Sequence, residues 1–349
     1  MRINAFDYFR GIAILFIVAG HSINPFTVTT FGEKVFANLI MGGTSLFVFI
    51  SGFFFHYIFY QKFKYLTFLI KKIKYVFLPY LLLMTLGFTL LAFYFDQLPF
   101  LYLFMPEKPV DWQQYIQLYF QYLGTGRLFY AYWYIPFIMI MFALSPLFIR
   151  QIQLPHRVQL IIILFLFCIS TLVSRPLNNL SPIHSVIYFL PVYMLGIFVS
   201  INKERVLQML TGKSLLLGII VILLAVLQVL IYDNFGSFHK ESIFTIEKFD
   251  IIIWQKMVMC FFFMSVLYKI ENKKVPVLKY IAETSFAIYF IHPWVFFFYN
   301  HYSIYQSLNF LSGPVITLFN MITAIVISVF VAKLFRLTFR HNSRMLIGY

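Results

Sequence analysis

The sequence predicts an all-α polytopic membrane protein, one domain over residues 1–349, crossing a bilayer about ten times with both termini in the cytoplasm. Three observations predict it. The composition is 61% hydrophobic and only 11% charged, with a mean hydropathy of +0.84, whereas a soluble domain carries roughly 25% charged residues. Apolar runs long enough to cross about 30 Å of hydrocarbon recur along the whole chain. Basic residues fall in short clusters between those runs. That distribution assigns the net charge of +15 to membrane topology rather than to nucleic-acid binding.

Taken in order, the expected spans lie near 8–27, 35–58, 75–95, 131–149, 158–174, 185–201, 214–232, 249–268, 280–299 and 313–333. Each is expected to be helical, because an open sheet would leave backbone groups unpaired in lipid. The first run is read as a retained helix: it contains His21, and no small-residue cleavage site follows in His21-Ser22-Ile23-Asn24-Pro25. The segment 96–130, with Trp112-Gln113-Gln114-Tyr115-Ile116, reads as an interfacial helix over an external mouth. With the amino terminus inside, 19 of the 27 basic residues are cytoplasmic: Arg2, Lys62, Lys64, Lys71, Lys72, Lys74, Arg150, Arg157, Lys203, Arg205, Lys213, Lys269, Lys273, Lys274, Lys279, Lys333, Arg336, Arg340 and Arg344. Only Lys34, Lys108, Arg127, Arg175, Lys240 and Lys248 fall outside, while Arg10 and Lys256 lie in or at the edge of spans. Cys168 and Cys260 fall in separate spans without metal-ligand spacing and read as small packing residues. No repeat or soluble appendage is apparent, so any chemistry is expected from the membrane domain itself.

Ionisable residues at membrane depth are expensive and mark function by default. The first span has three: Asp7, Arg10 and His21. Arg10 and His21 are eleven positions apart, which on a helix is about 20° from a common face and about 16 Å of rise. Arg10 would sit near the cytoplasmic boundary and His21 past the midplane. Asp7, one turn before Arg10, can pair with its guanidinium. The plainer alternative is that Arg10 reaches headgroups and His21 bonds a neighbouring helix.

The stretch Asp7-Tyr8-Phe9-Arg10-Gly11 running to Gly20-His21-Ser22 resembles the opening helix of the acyltransferase-3 family of membrane O-acyltransferases, marked by an arginine, ten residues and a histidine. Phe49-Ile50-Ser51-Gly52-Phe53 is similar to that family's second-helix Ser-Gly-Phe, and Lys71-Lys72-Ile73-Lys74 before Leu78-Pro79-Tyr80 to its basic cluster and following proline. Trp133-Tyr134-Ile135 with Ser145-Pro146-Leu147 resembles its fourth helix, and Ser285-Phe286-Ala287-Ile288-Tyr289-Phe290-Ile291-His292-Pro293 its late Ser-Phe-x-x-Tyr-x-x-His segment. The resemblance covers essentially the whole chain. The sequence departs from the family in using lysine where arginine is frequent in the basic cluster, and tyrosine or alanine where many members carry a histidine before Trp133.

The resemblance implies transfer of an acyl group, usually acetyl from acetyl-CoA, to a hydroxyl of an envelope glycan or its lipid-linked precursor, in the bacterial cytoplasmic (inner) membrane and without a metal. The residues suit this chemistry. A hydroxyl needs a base, and a neutral imidazole contributes about 10²–10⁴-fold; His21 is expected to be that base or, alternatively, a transient acyl carrier. Lys71, Lys72 and Lys74, with Arg10, are expected to hold the coenzyme A phosphates, although positive-inside topology alone would also place those lysines there. His292, with Tyr289 and Ser285 on roughly one face, fits a second catalytic role, acceptor positioning or helix bonding. Ser51 fits either a site or a small-residue packing contact, and Trp133 either the acceptor cleft or an interfacial anchor. His56, His156, His184, His239, His301 and His341 fall near boundaries or in loops. The expected partners are membrane lipids and a glycan or lipid-linked sugar. The rival from another class is a transporter or flippase for a lipid-linked sugar, although inverted repeats and paired broken helices are not apparent; a structural or sensor protein is the third reading.

Overall fold

A computed structural model of the chain describes residues 3–23, 27–245, 248–304 and 312–349. Arg2, Asn24 and Pro25, and the side chain of His341, lie outside what is described. The first helix, α1 (Asn4–Ser22), carries the Arg10–His21 face and runs beside α2 (Phe31–Ile40), α3 (Gly43–Phe54) and α14 (Pro276–His301). Its N-cap, Ile3, has no capping side chain. Glu271 supplies the cap instead, accepting from the backbone N–H of Asn4 at 2.9 Å and of Ala5 at 2.6 Å. A carboxylate there satisfies orphan donors and opposes the positive helix end. Tyr8 adds a hydroxyl bond to the Lys273 carbonyl at 2.7 Å. The start of α1 is therefore fastened to the loop after α13 (Ile251–Tyr268), two stretches that the lysine and arginine distribution places on one side of the membrane.

Eight helices among the described residues are long and apolar enough to cross a membrane, or nine if one bent pair forms a single span. The α1 helix is not among them, although its 19 residues extend about 28 Å at 1.5 Å per residue; Asp7, Arg10 and His21 dilute its hydropathy. The protein is thus a helical multi-pass membrane protein, and its only β structure among the described residues is a two-residue parallel contact between β1 (Arg175–Pro176) and β2 (His239–Lys240).

Three expected spans take a more elaborate form. The second breaks between α2 and α3 at Met41–Gly42, where Gly42 adopts φ +81°. That break frees carbonyls at the end of α2, and Lys256 of α13 meets them, donating from Nζ to Asn38 O at 2.8 Å and Leu39 O at 3.1 Å. The buried lysine that topology left unassigned thus closes a broken helix. The third span starts earlier than its hydropathy suggested, running Tyr65–Phe93 through α4 (Tyr65–Lys72), a π-helical turn at Ile73–Phe77 and α5 (Leu78–Phe93). The fourth is a bent pair, α7 (Tyr134–Ala143) and α8 (Ser145–Gln153), inclined by 54°. Pro146, near the start of α8, has no N–H to continue α7. The sequence had shown no such breaks, because the hydropathy runs straight through them.

The expected interfacial helix is α6 (Trp112–Thr125), capped by Asp111, which accepts from Gln114 N at 2.8 Å. Trp112, Ile116 and Phe120 form an exposed stripe at four-residue spacing, the apolar face such a helix would turn to lipid. The remaining elements are α9 (His156–Val173), α10 (Pro182–Ile201), α11 (Lys203–Leu210), α12 (Ser214–Tyr232), α15 (Gly313–Phe339) and α16 (Ser343–Ile347).

Two glycine contacts decide how the helices pack. A Cβ on Gly52 would lie 2.0 Å from the Tyr193 carbonyl oxygen, and one on Gly196 would lie 2.1 Å from that of Phe49. The α3 and α10 backbones therefore touch, the small-residue crossing that membrane helices favour. Of the two expected thiols, Cys260 is buried and fits a packing role, whereas Cys168 is exposed on α9.

Candidate active site

The end of the bundle that the lysine and arginine distribution reads as inner holds a cavity of about 810 Å³. Its wall carries Arg10, Lys71, Lys72, Arg336, Arg340 and Arg344, with Glu283 as the one acidic lining residue. The π-helical turns at Phe55–Phe59 and Ile73–Phe77 both border it, consistent with the tendency of such turns to sit at functional places. Lys72 lies 4.3 Å from the ring centroid of Phe142 and 4.5 Å from that of Phe59, so its stem is fixed among aromatics. Arg344 stacks on Tyr75 at 4.5 Å. Lys74, grouped with Lys71 and Lys72 in the sequence, is not among the lining residues and sits exposed beside Tyr75. The three arginines near the end of the chain take its place, and a topology count alone gave them no individual role.

Arg10 stands where this cavity meets a second one of about 1190 Å³, lined by Asp7, His56, Lys203 and Arg205 among others. Its guanidinium is 3.7 Å from Asp7 Oδ1, and its Nε donates to the Ala282 carbonyl at 3.1 Å. Ser285 Oγ donates to the same carbonyl at 2.8 Å, so α1 and α14 share one acceptor. Their close approach needs Gly11, whose Cβ would come 2.8 Å from Leu278 O. Ser51 and Tyr134 line the same cavity.

From that wall a row of rings leads outward. Tyr134 is 5.8 Å from Tyr289, Tyr289 is 6.2 Å from His292, and His292 is 5.5 Å from His21, all between ring centroids. The two histidines brought together here, one on α1 and one on α14, are 271 positions apart in the sequence, beyond any spacing argument. His292 is fully buried. Its Nδ1 donates to the Ile288 carbonyl at 2.8 Å, which fixes the tautomer and leaves Nε2 a lone-pair nitrogen with no hydrogen-bond partner. An oriented imidazole with an open acceptor nitrogen is what proton abstraction requires.

Beyond the histidines lie two arginines that the sequence had placed only as outer charges. Arg175 and Arg127 are both within electrostatic reach of His21. Arg175 stacks over Trp133 at 4.9 Å and donates to Asn179 Oδ1 at 2.7 Å. Ser174 just before it takes φ +56°, a sparsely populated region for a residue with a side chain. Arg127 stacks over Phe100 at 4.1 Å. Burial holds Arg127 down to about 10 and also lowers Arg175. Trp133 is 3% exposed, so it is packed inside the protein under Arg175 rather than exposed at an interface. The 126–133 loop is bolted to α14: Tyr289 donates to the Ala131 carbonyl, and Tyr132 donates to that of Phe290 at 2.8 Å. The only hint in the sequence was that Arg127 and Arg175 stood on the side with few charges. Among the described residues no group of three or more His, Cys, Asp or Glu side chains is placed to hold a metal ion.

Comparison with known proteins matches neither a curated protein nor a solved structure. A family model described as an acyltransferase domain matches residues 3–333. With that match over nearly the whole chain, and with the Arg10 and His21 ends of α1 opening onto a cationic cavity and a histidine pair, the chain belongs to the acyltransferase-3 family.

Proposed function

We propose that this acyltransferase moves an acyl group, most simply acetyl, from acyl-CoA at the inner cavity to a hydroxyl of a cell-envelope glycan or lipid-linked sugar, in a bacterial cytoplasmic membrane. The observation that carries the reading is the polarity of the path along α1. Six cationic side chains line the inner cavity against one acid, which suits the phosphates of coenzyme A. At the far end of the same helix stands the His21–His292 pair. The pantetheine arm would extend along the Tyr134–Tyr289 wall between them. His21 takes the proton of the acceptor hydroxyl, the oxygen attacks the thioester carbonyl, the C–S bond breaks, and the thiolate leaves with the proton as coenzyme A thiol. His292, with its tautomer set by Ile288, orients His21 and the acceptor. Ser51 and Ser285 line the inner cavity, Tyr289 stands beside His292, and Asp7 steadies Arg10.

The helix breaks at Met41–Gly42 and at Leu144 are also features of transporters, so flux of a lipid-linked sugar is the second reading. Purified protein in proteoliposomes separates them. Consumption of acetyl-CoA only when a glycan acceptor is supplied supports acyl transfer. Glycan movement without release of coenzyme A thiol supports transport.

A further inference from the structure

Buried guanidinium groups are costly unless their N–H donors meet acceptors. Arg127 is 4% exposed. Its backbone N–H reaches Thr125 Oγ1 at 3.3 Å, but its guanidinium makes no hydrogen bond to any described residue, and Nε is buried without a partner. Arg175 satisfies one nitrogen on Asn179 and leaves its own Nε orphaned.

The other outer basic residues set the contrast. Lys34 pairs with Asp233 at 2.6 Å, and Lys108 pairs with Asp96. Lys240 donates to the carbonyls of Leu172 at 2.8 Å and Thr245 at 3.0 Å. Lys248 is exposed, over the rings of Tyr232 and Phe238. Of the described outer basic residues only Arg127 and Arg175, the two that reach His21 electrostatically, bury a donor without a partner. Stacking on Phe100 and Trp133 fixes the guanidinium planes but supplies no acceptor, so the edges of the forks stay available. The acid that reaches Arg175 is Asp250, and its oxygens already accept from Tyr188 Oη at 2.8 Å and Ile252 N at 2.9 Å.

We infer that Arg127 and Arg175 dock an anionic group of the acceptor, a phosphate or a carboxylate, and so hold its hydroxyl against His21. This rests on the acyl-transfer reading above and narrows it: the acceptor is a charged sugar, and a neutral glycan would leave the open donors of both forks without an anion. Planar forks on aromatic platforms match two-oxygen anions bidentately, which lysine does not. A sugar phosphate and a uronic acid both present that chemistry.

The test is calorimetric binding of D-glucose 1-phosphate, D-galacturonate and neutral D-glucose to the full chain in detergent, with acetyl-CoA binding measured on the same samples. The expected result is binding of one or both anionic probes but not of glucose, falling with added salt. Replacement of either arginine, R127Q or R175Q, should weaken it roughly tenfold or more, and R127K with R175K should restore part. The anion that binds more tightly identifies its source as phosphate or carboxylate. Equal binding of glucose and its phosphate, or anion binding that is unchanged in both glutamine variants, overturns the inference. If a glutamine variant does not fold, the lysine variants and the salt series decide: binding retained in full by lysine and indifferent to salt also overturns it. Acetyl-CoA binding that persists while anion binding fails leaves the acyl-transfer reading standing, whereas loss of acetyl-CoA binding by the unaltered chain strikes that reading instead.

Discussion

The imidazole of His21 on α1 lies 5.5 Å from that of His292 on α14, centroid to centroid. The two rings come from opposite ends of the sequence and meet because Gly11 lets the helices touch. If His21 removes the acceptor proton, His21→Ala should lower turnover by about 10²–10⁴-fold. The KM for acetyl-CoA should stay nearly constant, because the cations that would hold its phosphates lie at the other end of α1. Initial rates at varied acetyl-CoA check both numbers. His292→Gln, which cannot offer the same ring nitrogen, should lose turnover in the same direction.

The inner cavity makes a separate prediction. Neutralising Lys72 and Arg344, two of the cations that line the cavity, as K72Q with R344Q, should raise the KM for acetyl-CoA roughly tenfold, with a smaller change in kcat. Lys74→Gln should change neither, since Lys74 faces away from the cavity. The two variants measured side by side distinguish recognition from general positive charge.

Gly52→Ala should be destabilising out of proportion to one methyl group. The new Cβ would collide with the Tyr193 carbonyl at 2.0 Å, and backbone cannot yield as a flexible side chain can. Forced overpacking costs about 1–3 kcal/mol. A lower thermal midpoint in detergent is expected for Gly52→Ala, while Gly32→Ala, where a Cβ meets nothing, should be neutral.

Lys256→Met keeps an apolar stem of similar length but removes the donor to Asn38 O and Leu39 O. Two carbonyls at the α2 break would lose their partner, at a cost of about 1–3 kcal/mol. The thermal midpoint should fall, with no change in the KM for acetyl-CoA, since Lys256 borders neither inner cavity.

Asp250 caps α13 and is fully buried. Burial pushes its carboxyl up from 3.8 to about 6 despite the bonds it accepts from Tyr188 and Ile252. The folded state therefore holds a proton that the unfolded chain releases between about pH 4 and pH 6. Its contribution to stability is greatest below that window and declines as pH rises through it. Asp250→Asn should flatten the change in thermal midpoint across that range; an unchanged slope would remove Asp250 as its source.

The helical membrane architecture was legible because hydropathy and the distribution of lysine and arginine are local properties of the chain. Arg10 and His21 were legible as a pair because helix geometry fixes their shared face. The His21–His292 meeting was not, since it depends on which helix α1 packs against, a matter of Gly11 and Leu278 rather than of either histidine. The breaks at Gly42 and Leu144 were hidden by apolar residues on both sides of each break. Lys74 looked equivalent to Lys71 and Lys72, but it falls in the π-helical turn Ile73–Phe77, which breaks the regular helical spacing that would have kept it near the face of Lys71. Arg336, Arg340 and Arg344 read as topology alone because nothing in their spacing shows that the α15–α16 segment folds back to the cavity. Arg127 and Arg175 carried no motif at all, and only the Nε donors they bury without a partner single them out.

Mass spectrometry of envelope glycans tests the central claim most directly, comparing cells that make the unaltered chain with cells that make His21→Ala at equal membrane level. The account predicts an O-acyl increment on a glycan in the first and its loss in the second. The same acyl pattern in both, or no increment with the unaltered chain, would contradict it.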